Sequence, residues 1–398
     1  MNNPDPALFG SAPPKPSIWN DPFYRSLFFQ FSAFVVVVLL GKYLFDNTTE
    51  NMARQGIASG FGFMGSVSGF DVTSSLVEYN ASSTYGQAFL VGLLNTLLVS
   101  AVSIFLATMI GFVIGIARLS SNWLIAKMAT VYIEVLRNIP LLLQIFFWYF
   151  AVLRPLPSPR QSLDMFDIAF INNRGLYLPS PVFGDLAIWV LIALVVAIVA
   201  IVFLTRWAKR KQDETGETFP LFLTSVGLLI GLPLLALVVT GFPVHWEMPV
   251  LQGFNFRGGL TLIPEFVALT LALSTYTAAF IAEVVRAGIQ AVPKGQTEAA
   301  NALGLRSGVI LRQVIIPQAM RVIIPPLTNQ YLNLTKNSSL AAAIAYPDLV
   351  LIFAGTVLMQ TGQAVEIIFI TMAVYLLISL SIALFMNWYN KRMMLVER

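Results

Sequence analysis

The chain has 398 residues, of which 57% are hydrophobic and 11% charged, with a mean hydropathy of +0.75 and a formal net charge of +4. A soluble domain carries about 25% charged residues, so most of this chain must face lipid or other apolar segments rather than water. Cysteine is absent, which excludes disulfides and thiolate metal sites, and His245 is the only histidine, which excludes histidine-rich metal chemistry. A modest positive charge in such a chain is expected of cytoplasmic loops and does not indicate nucleic acid.

In chain order, residues 1–22 are polar and rich in Pro and Asn. They read as a disordered cytoplasmic tail rather than a cleavable signal peptide, because no apolar run precedes Leu27. A helix needs roughly 20 apolar residues to cross the hydrocarbon core. Eight stretches meet that need: Tyr24–Phe45, Phe89–Ala117, Met128–Leu153, Leu186–Thr205, Leu221–Thr240, Pro264–Ile289, Ser339–Val357 and Val365–Tyr389. They divide the chain into a first helix with its outside loop (23–86), a helix pair (87–153), an insertion carrying two further helices (154–263), and a C-terminal part (264–392) that contains a polar loop (290–335). With the N-terminus inside, sixteen lysines and arginines fall in inside segments and six in outside ones, the asymmetry the positive-inside rule expects. Both termini are then cytoplasmic. The outside loops 46–86, 154–184 and 242–263 are either a floor for an external partner or plain connectors.

The loop 290–335 is too polar and too interrupted to be expected to span. Thr297 is placed as a helix N-cap with Glu298 in the first turn, and Glu298–Leu303 favours helix by composition. Gly304 stops or bends that helix. A second helix, Ser307–Ile316, is expected to end before Pro317. Two short helices at an angle would project from the membrane, with a small residue at the bend admitting another protein's surface. An amphipathic helix lying on the bilayer is the alternative.

In this loop the sequence resembles the permease subunits of ATP-binding-cassette (ABC) importers, whose signature is EAA, three residues, G, nine residues, then I-x-L-P. Here Glu298-Ala299-Ala300, Gly304 and Val314-Ile315-Ile316-Pro317 hold the same spacing with two aliphatic exchanges. Three further segments resemble the polar amino-acid importers. Glu134, Arg137, Pro140-Leu141-Leu142 and Gln144 match E-x-x-R-x-x-P-L-L-x-Q. The run from Glu283 through Arg286, Gly288-Ile289 and Val292-Pro293 to Gln296 matches a second motif, and Lys336-Asn337-Ser338-Ser339-Leu340 matches a third. The resemblance covers about residues 87–392. The enlarged layout looks like the larger permease of the general L-amino-acid systems.

The resemblance implies an all-α integral membrane protein of the type I ABC importer permease fold, with an extra N-terminal helix and an inserted helix pair. It implies a second permease subunit, a cytoplasmic ATPase dimer and a periplasmic amino-acid-binding protein as partners, and an L-amino acid as cargo. It places ATPase coupling on Glu298, Ala299, Ala300, Gly304, Leu305, Arg306 and Pro317. The enlarged insertion favours an unequal partner over a second copy.

Polar residues inside spans are expensive, about 2.5–3.5 kcal/mol for a charge on the gentlest scale, and need a purpose. Glu134 and Glu283 each have an arginine three residues on, close enough on a helix to pair. With Gln144, Thr275, Thr277, Ser338 and Ser339 they form the candidate substrate pathway. Ser338 and Ser339 would cap a helix and offer backbone N–H groups to a carboxylate. Internal ion pairing and simple capping are the competing readings. No nucleotide-binding G-x-x-x-x-G-K-[ST] run is present, no cofactor is expected, and no nucleophile–base or paired-carboxylate arrangement suggests an enzyme. An ion-coupled transporter using Glu134 and Glu283 is the alternative function.

Overall fold

The computed structural model describes residues 21–54, 56, 59–217, 219–242 and 244–393. All but the end of the tail expected over residues 1–22 therefore lies outside the described residues. The first helix, α1 (Pro22–Arg54), buries none of its apolar window against the rest of the chain. A polar segment follows and leads to α2 (Tyr85–Ala117), which starts at a reciprocal cap. Thr84 Oγ1 accepts from the Gln87 N–H, and Gln87 Oε1 accepts from the Thr84 N–H, so two helix-end donors are satisfied at once.

The next span is broken. α3 (Trp123–Asn138) and α4 (Leu141–Phe146), the latter extended by a π-helical turn to Leu153, meet at a bend of 105°. The expected continuous helix Met128–Leu153 is therefore corrected. Pro140 cannot donate, and it forces Ile139 into an extended conformation (φ −100°, ψ 128°).

The insertion holds α5 (Ile188–Thr215) and α6 (Leu221–Val239), which pair mainly with each other. Its flanking loops are more than connectors. They fold into β1 (Leu163–Met165), β2 (Ala169–Asn172), β3 (Gly175–Leu178), β4 (Ser180–Phe183), β5 (Val244–Glu247), β6 (Val250–Gln252), β7 (Asn255–Arg257) and β8 (Leu260–Leu262). β1-β2-β3-β8 form one antiparallel sheet, β6-β7 form a hairpin, and β4-β5 form an antiparallel pair that brings the two ends of the inserted helix pair together. This strand layer was not anticipated, because its strands are only three or four residues long and carry little alternation to read.

α7 (Pro264–Gln290) is the centre of the bundle. Along it Leu269, Leu273, Ile281 and Val285 join Ile145, Ile324 and Leu334 in the main core. Beyond it α8 (Lys294–Ala302) and α9 (Ser307–Ile310) project, and a π-helical turn, Leu311–Ile315, leads into α10 (Ile316–Asn337). Here the expected loop 290–335 is corrected, since its second half is a helix packed on α7. Pro317 does not stop that helix. It lies just after the π turn Leu311–Ile315, inside a helical run that continues from Ser307. The expected seventh span, Ser339–Val357, is corrected too. A 3₁₀ turn, Ser338–Ile344, ends at Ala345 (φ +60°), and a separate short stretch, a π segment Val350–Val357 followed by α11 (Leu358–Thr361), lies against α2 and α12 (Ala364–Met393). Ser307–Ile344 is the segment long and apolar enough to cross. Among the described residues seven helices qualify as spans, or eight with the bent pair.

α2 and α7 approach closely because α2 presents small residues at three- and four-residue steps. Gly92, Thr96, Ser100, Ser103, Ala107, Gly111 and Gly115 are all buried. A Cβ on Gly115 would lie 2.7 Å from the Ala282 carbonyl oxygen and 2.8 Å from Val285 Cβ. In lipid, helices gain no hydrophobic drive from meeting each other, so such close van der Waals contact carries their association. Gly115→Val should therefore cost about 1–3 kcal/mol through overpacking and lower the Tm of the detergent-purified protein. Gly227→Val on α6, where an added Cβ meets nothing within 4 Å, should leave it unchanged.

Candidate functional sites in the bundle

The projecting pair α8–α9 is built by a helix stop rather than by a hinge. α8 begins at Lys294 behind Pro293, so Thr297 lies inside the helix and is not its cap. At its end the Leu305 N–H donates to the Ala300 carbonyl and the Gly304 N–H to the Asn301 carbonyl, at 3.3 and 2.9 Å. This is the paired arrangement of a Schellman cap, and it requires Gly304 at φ +71°. Gly304 is thus needed first for its backbone conformation. Its missing Cβ also leaves open space around it. Glu298, Ala299, Gly304, Leu305 and Arg306 are exposed, whereas Ala300 and Ile310 are buried. Pro317 is half-buried at the start of α10, away from the exposed tip. Ser307 does not cap α9, whose N-cap is Arg306 with no side-chain bond. α8 is tied to α10 by Gln318 Nε2 donating to Gln296 Oε1 at 3.3 Å.

Where α7 approaches α8, charged residues from three helices converge. Glu283 accepts from Arg118 Nη1 and from Arg286, the latter through Nε at 3.1 Å and through Nη2. Arg118 also reaches Glu134 at 3.9 Å. The expected Glu134–Arg137 pair does not form. Arg137 instead lies over the Phe280 ring at 5.1 Å. The cluster joins the end of α2 to α3 and α7, and Arg118, its central cation, was missed in sequence because it lies 165 residues from Glu283.

Gln144 is buried in the broken span. Its Nε2 donates to the Leu136 and Ile139 carbonyls at 2.9 and 3.0 Å. Those are carbonyls that the break at Pro140 leaves without helical partners, so Gln144 clamps the bend, while its Oε1 has no partner. Thr275 bonds the Leu271 carbonyl at 2.6 Å, and its own carbonyl accepts from Tyr132 at 2.8 Å. Thr277 is buried on the same helix. Ser338 and Ser339 begin the 3₁₀ turn that continues α10, not a separately capped membrane helix. They follow the last turn of α10 and back-bond to the Thr335 and Lys336 carbonyls at 2.8 and 2.7 Å. The Ser338 N–H is used by the Leu334 and Lys336 carbonyls, so the expected free N–H array is absent at Ser338.

A polar centre that sequence reading missed lies just beyond. At the helix break after Ile344, Asn95 Nδ2 donates to the Pro347 carbonyl at 2.9 Å, Thr96 Oγ1 accepts from the Leu349 N–H at 3.0 Å, and Tyr346 donates to the Asn95 carbonyl at 3.1 Å. Asp348 is fully buried. One of its oxygens takes the Leu351 N–H at 2.8 Å and the other has no partner. Tyr375 Oη, also buried, faces this group and Ser338. Tyr375 in turn lines a cavity of about 510 Å³ with Lys336, Ser339, Thr371, Met372 and Ser379. The only advance signal was a lone aspartate in an apolar run, Ala345–Phe353.

Among the candidate pathway residues, Ser339 thus lines a cavity with Lys336, which was not among them, Ser338 lies behind it, and Glu134 and Glu283 share the charge cluster. Gln144, Thr275 and Thr277 are not brought to either. No group of histidine and carboxylate residues among the described residues is arranged to hold a metal.

Residues 215–395 match the family of binding-protein-dependent transport system inner membrane components. YhdX of Escherichia coli (strain K12) is 60% identical over 95% of this chain and 96% of its own. The general L-amino acid transport system permease protein AapQ of Rhizobium johnstonii is 55% identical over 95% of this chain and 94% of its own. The glutamate/glutamine/aspartate/asparagine transport system permease protein BztB of Rhodobacter capsulatus is 41% identical over 94% of this chain and 95% of its own. With such identity along nearly the whole length of each chain, and with a helical bundle carrying the projecting EAA segment, this chain belongs to the amino-acid ABC transporter permeases, the membrane-spanning subunits of binding-protein-dependent importers.

Proposed function

We propose that the chain carries L-amino acids inward across the bacterial inner membrane as one half of a two-permease pathway. A separate ATPase dimer drives it and a periplasmic binding protein feeds it. The observation that carries this reading is the projecting α8–α9 pair with its Schellman stop at Gly304. It offers an exposed, backbone-defined knob whose motion a docked ATPase would transmit to α7 and α10 on either side. Both termini, the α5–α6 connection and the charge cluster are assigned to the cytoplasmic side, and the strand layer to the periplasmic side, in line with the distribution of lysine and arginine. The family favours this mechanism over the ion-coupled alternative, in which Glu134 and Glu283 would titrate. The bonding supports the same choice, since Glu283 is held by two guanidinium groups.

The substrate path is assigned to the cavity beside α10 and α12. A zwitterion there meets a cation at Lys336, hydroxyl groups at Ser339, Thr371 and Ser379, and an aromatic wall at Tyr375. Alternating access would follow from the two breaks already in the bundle, at Pro140 and at Ala345, since unwound segments change direction without breaking further hydrogen bonds. Glu134 and Glu283, with Arg118 and Arg286, would then close the cytoplasmic mouth.

Two outcomes follow. Gly304→Asp keeps a side chain that tolerates positive φ but puts a charged group where a partner must approach. It should abolish amino-acid uptake in cells while the membrane-inserted amount stays at the wild-type level, and wild-type uptake by this variant would refute the coupling assignment. Lys336→Met should raise the KM for uptake about tenfold or more while leaving the ATPase rate of the resting complex unchanged. An unaltered KM would remove Lys336 from the path.

A further inference from the structure

The strand layer of the insertion carries an aromatic side chain that the fold does not need. β6 and β7 are joined by the two-residue turn Gly253-Phe254, with Gln252 paired to Asn255. Gly253 supplies the positive φ (+69°) that such a tight hairpin requires at its first turn position. Nothing in this geometry calls for a large apolar residue at the second position, yet Phe254 is there and 73% exposed.

The turn is held in place. The hairpin is anchored by Phe256, buried against Phe170 and Tyr177 with ring centroids 4.7 and 4.9 Å apart, and by Tyr177 Oη donating to Asn255 Oδ1 at 2.8 Å. Two exposed arginines from elsewhere in the layer then grip the tip. Arg160 lies over the Phe254 ring at 4.4 Å and reaches the Gly253 carbonyl at 3.4 Å, and Arg174 reaches the Phe254 carbonyl at 3.4 Å. Among the described residues neither arginine has a carboxylate partner, although the same layer carries Asp164, Asp167 and Glu247. An exposed ring on an anchored hairpin tip, flanked by two uncompensated guanidinium groups from neighbouring segments of the layer, has the composition of an interface hot spot. Its net charge selects an acidic counterpart.

We propose that Phe254, flanked by Arg160 and Arg174, is a contact site for an acidic patch on the soluble binding protein. The inference rests on the reading of this chain as a permease fed by such a protein. Under it, the insertion has a task of its own. It holds an aromatic anchor in the path of an incoming partner, and the arginines steer that partner from a distance of about one Debye length, roughly 8–10 Å at physiological salt.

The test uses the complete transporter in lipid nanodiscs, titrated with its binding protein while ATPase activity is read. The double variant Arg160→Glu/Arg174→Glu should raise the half-saturating concentration of binding protein at least tenfold and flatten its dependence on salt. Phe254→Ala should raise that concentration while the salt dependence stays as in the wild type. Both variants should keep the wild-type Tm and the ATPase rate seen without binding protein. Wild-type half-saturation in both variants, or a loss reproduced only by removing anionic lipid from the nanodisc, would overturn the assignment. A wild-type complex that the binding protein fails to stimulate at all would instead refute the importer reading on which the assignment stands.

Discussion

The close contact between α2 and α7 is the constraint on which the rest of the molecule depends. The two helices can touch backbone to side chain only because Gly111 and Gly115 add nothing between them, and Gly92 does the same against Leu349. With α2 fixed in this way, Arg118 at its end reaches Glu283, and Asn95 and Thr96 in its first half reach the helix break at Pro347 and Leu349. Both polar clusters of the bundle are therefore hung on one helix pair. Shifting α2 along α7 would disturb the two ends together, which is the property a transport pathway opening alternately at its ends requires.

Burying those polar groups is costly in hydrocarbon, where an unsatisfied donor or acceptor has no water to turn to. The chain offsets the cost by pairing breaks with side chains. Gln144 takes the carbonyls freed at Pro140, and Asn95 and Thr96 take the carbonyl and N–H freed around Asp348. Not every buried polar atom finds a partner, and those that do not lie at several places, among them Gln144 Oε1 at the Pro140 bend and the Ser103 hydroxyl on α2. One oxygen of Asp348 and the hydroxyl of Tyr375, whose ring lines the cavity at Lys336, are two of them, and the Ser100 hydroxyl lies at a second cavity between α2, α10 and α12. Polar groups left short of partners in the membrane mark the places where a passing solute can supply them.

Much of this was legible in the chain itself. Hydropathy located every span but the seventh, though one of them is broken at Pro140, and the fixed spacing from Glu298 to Gly304 gave the projecting segment and its stop. The errors have physical causes. Pro317, Pro325 and Pro326 and the polar residues among them made α10 look like a loop, because a helix that faces protein in the bundle interior need not be apolar all round and can carry prolines when neighbours support it. The apolar run after Ser339 looked like a span because hydropathy does not register the left-handed turn at Ala345. The Arg118–Glu283 pair and the Asn95–Pro347 contact join residues more than 160 positions apart, and no local pattern announces such a pair. Gly304 ends its helix for a reason that propensity alone does not show, since its positive φ is a demand of the Schellman cap.

The central claim is that this chain moves its solute only when an ATPase drives the α8–α9 segment. Uptake of a labelled amino-acid panel into liposomes holding this chain with its sister permease and ATPase tests it most directly, with binding protein outside and ATP inside or absent. The account predicts accumulation that requires both ATP and the binding protein and survives collapse of the ion gradients. Accumulation by this chain alone, following a proton or sodium gradient and indifferent to ATP, would contradict it.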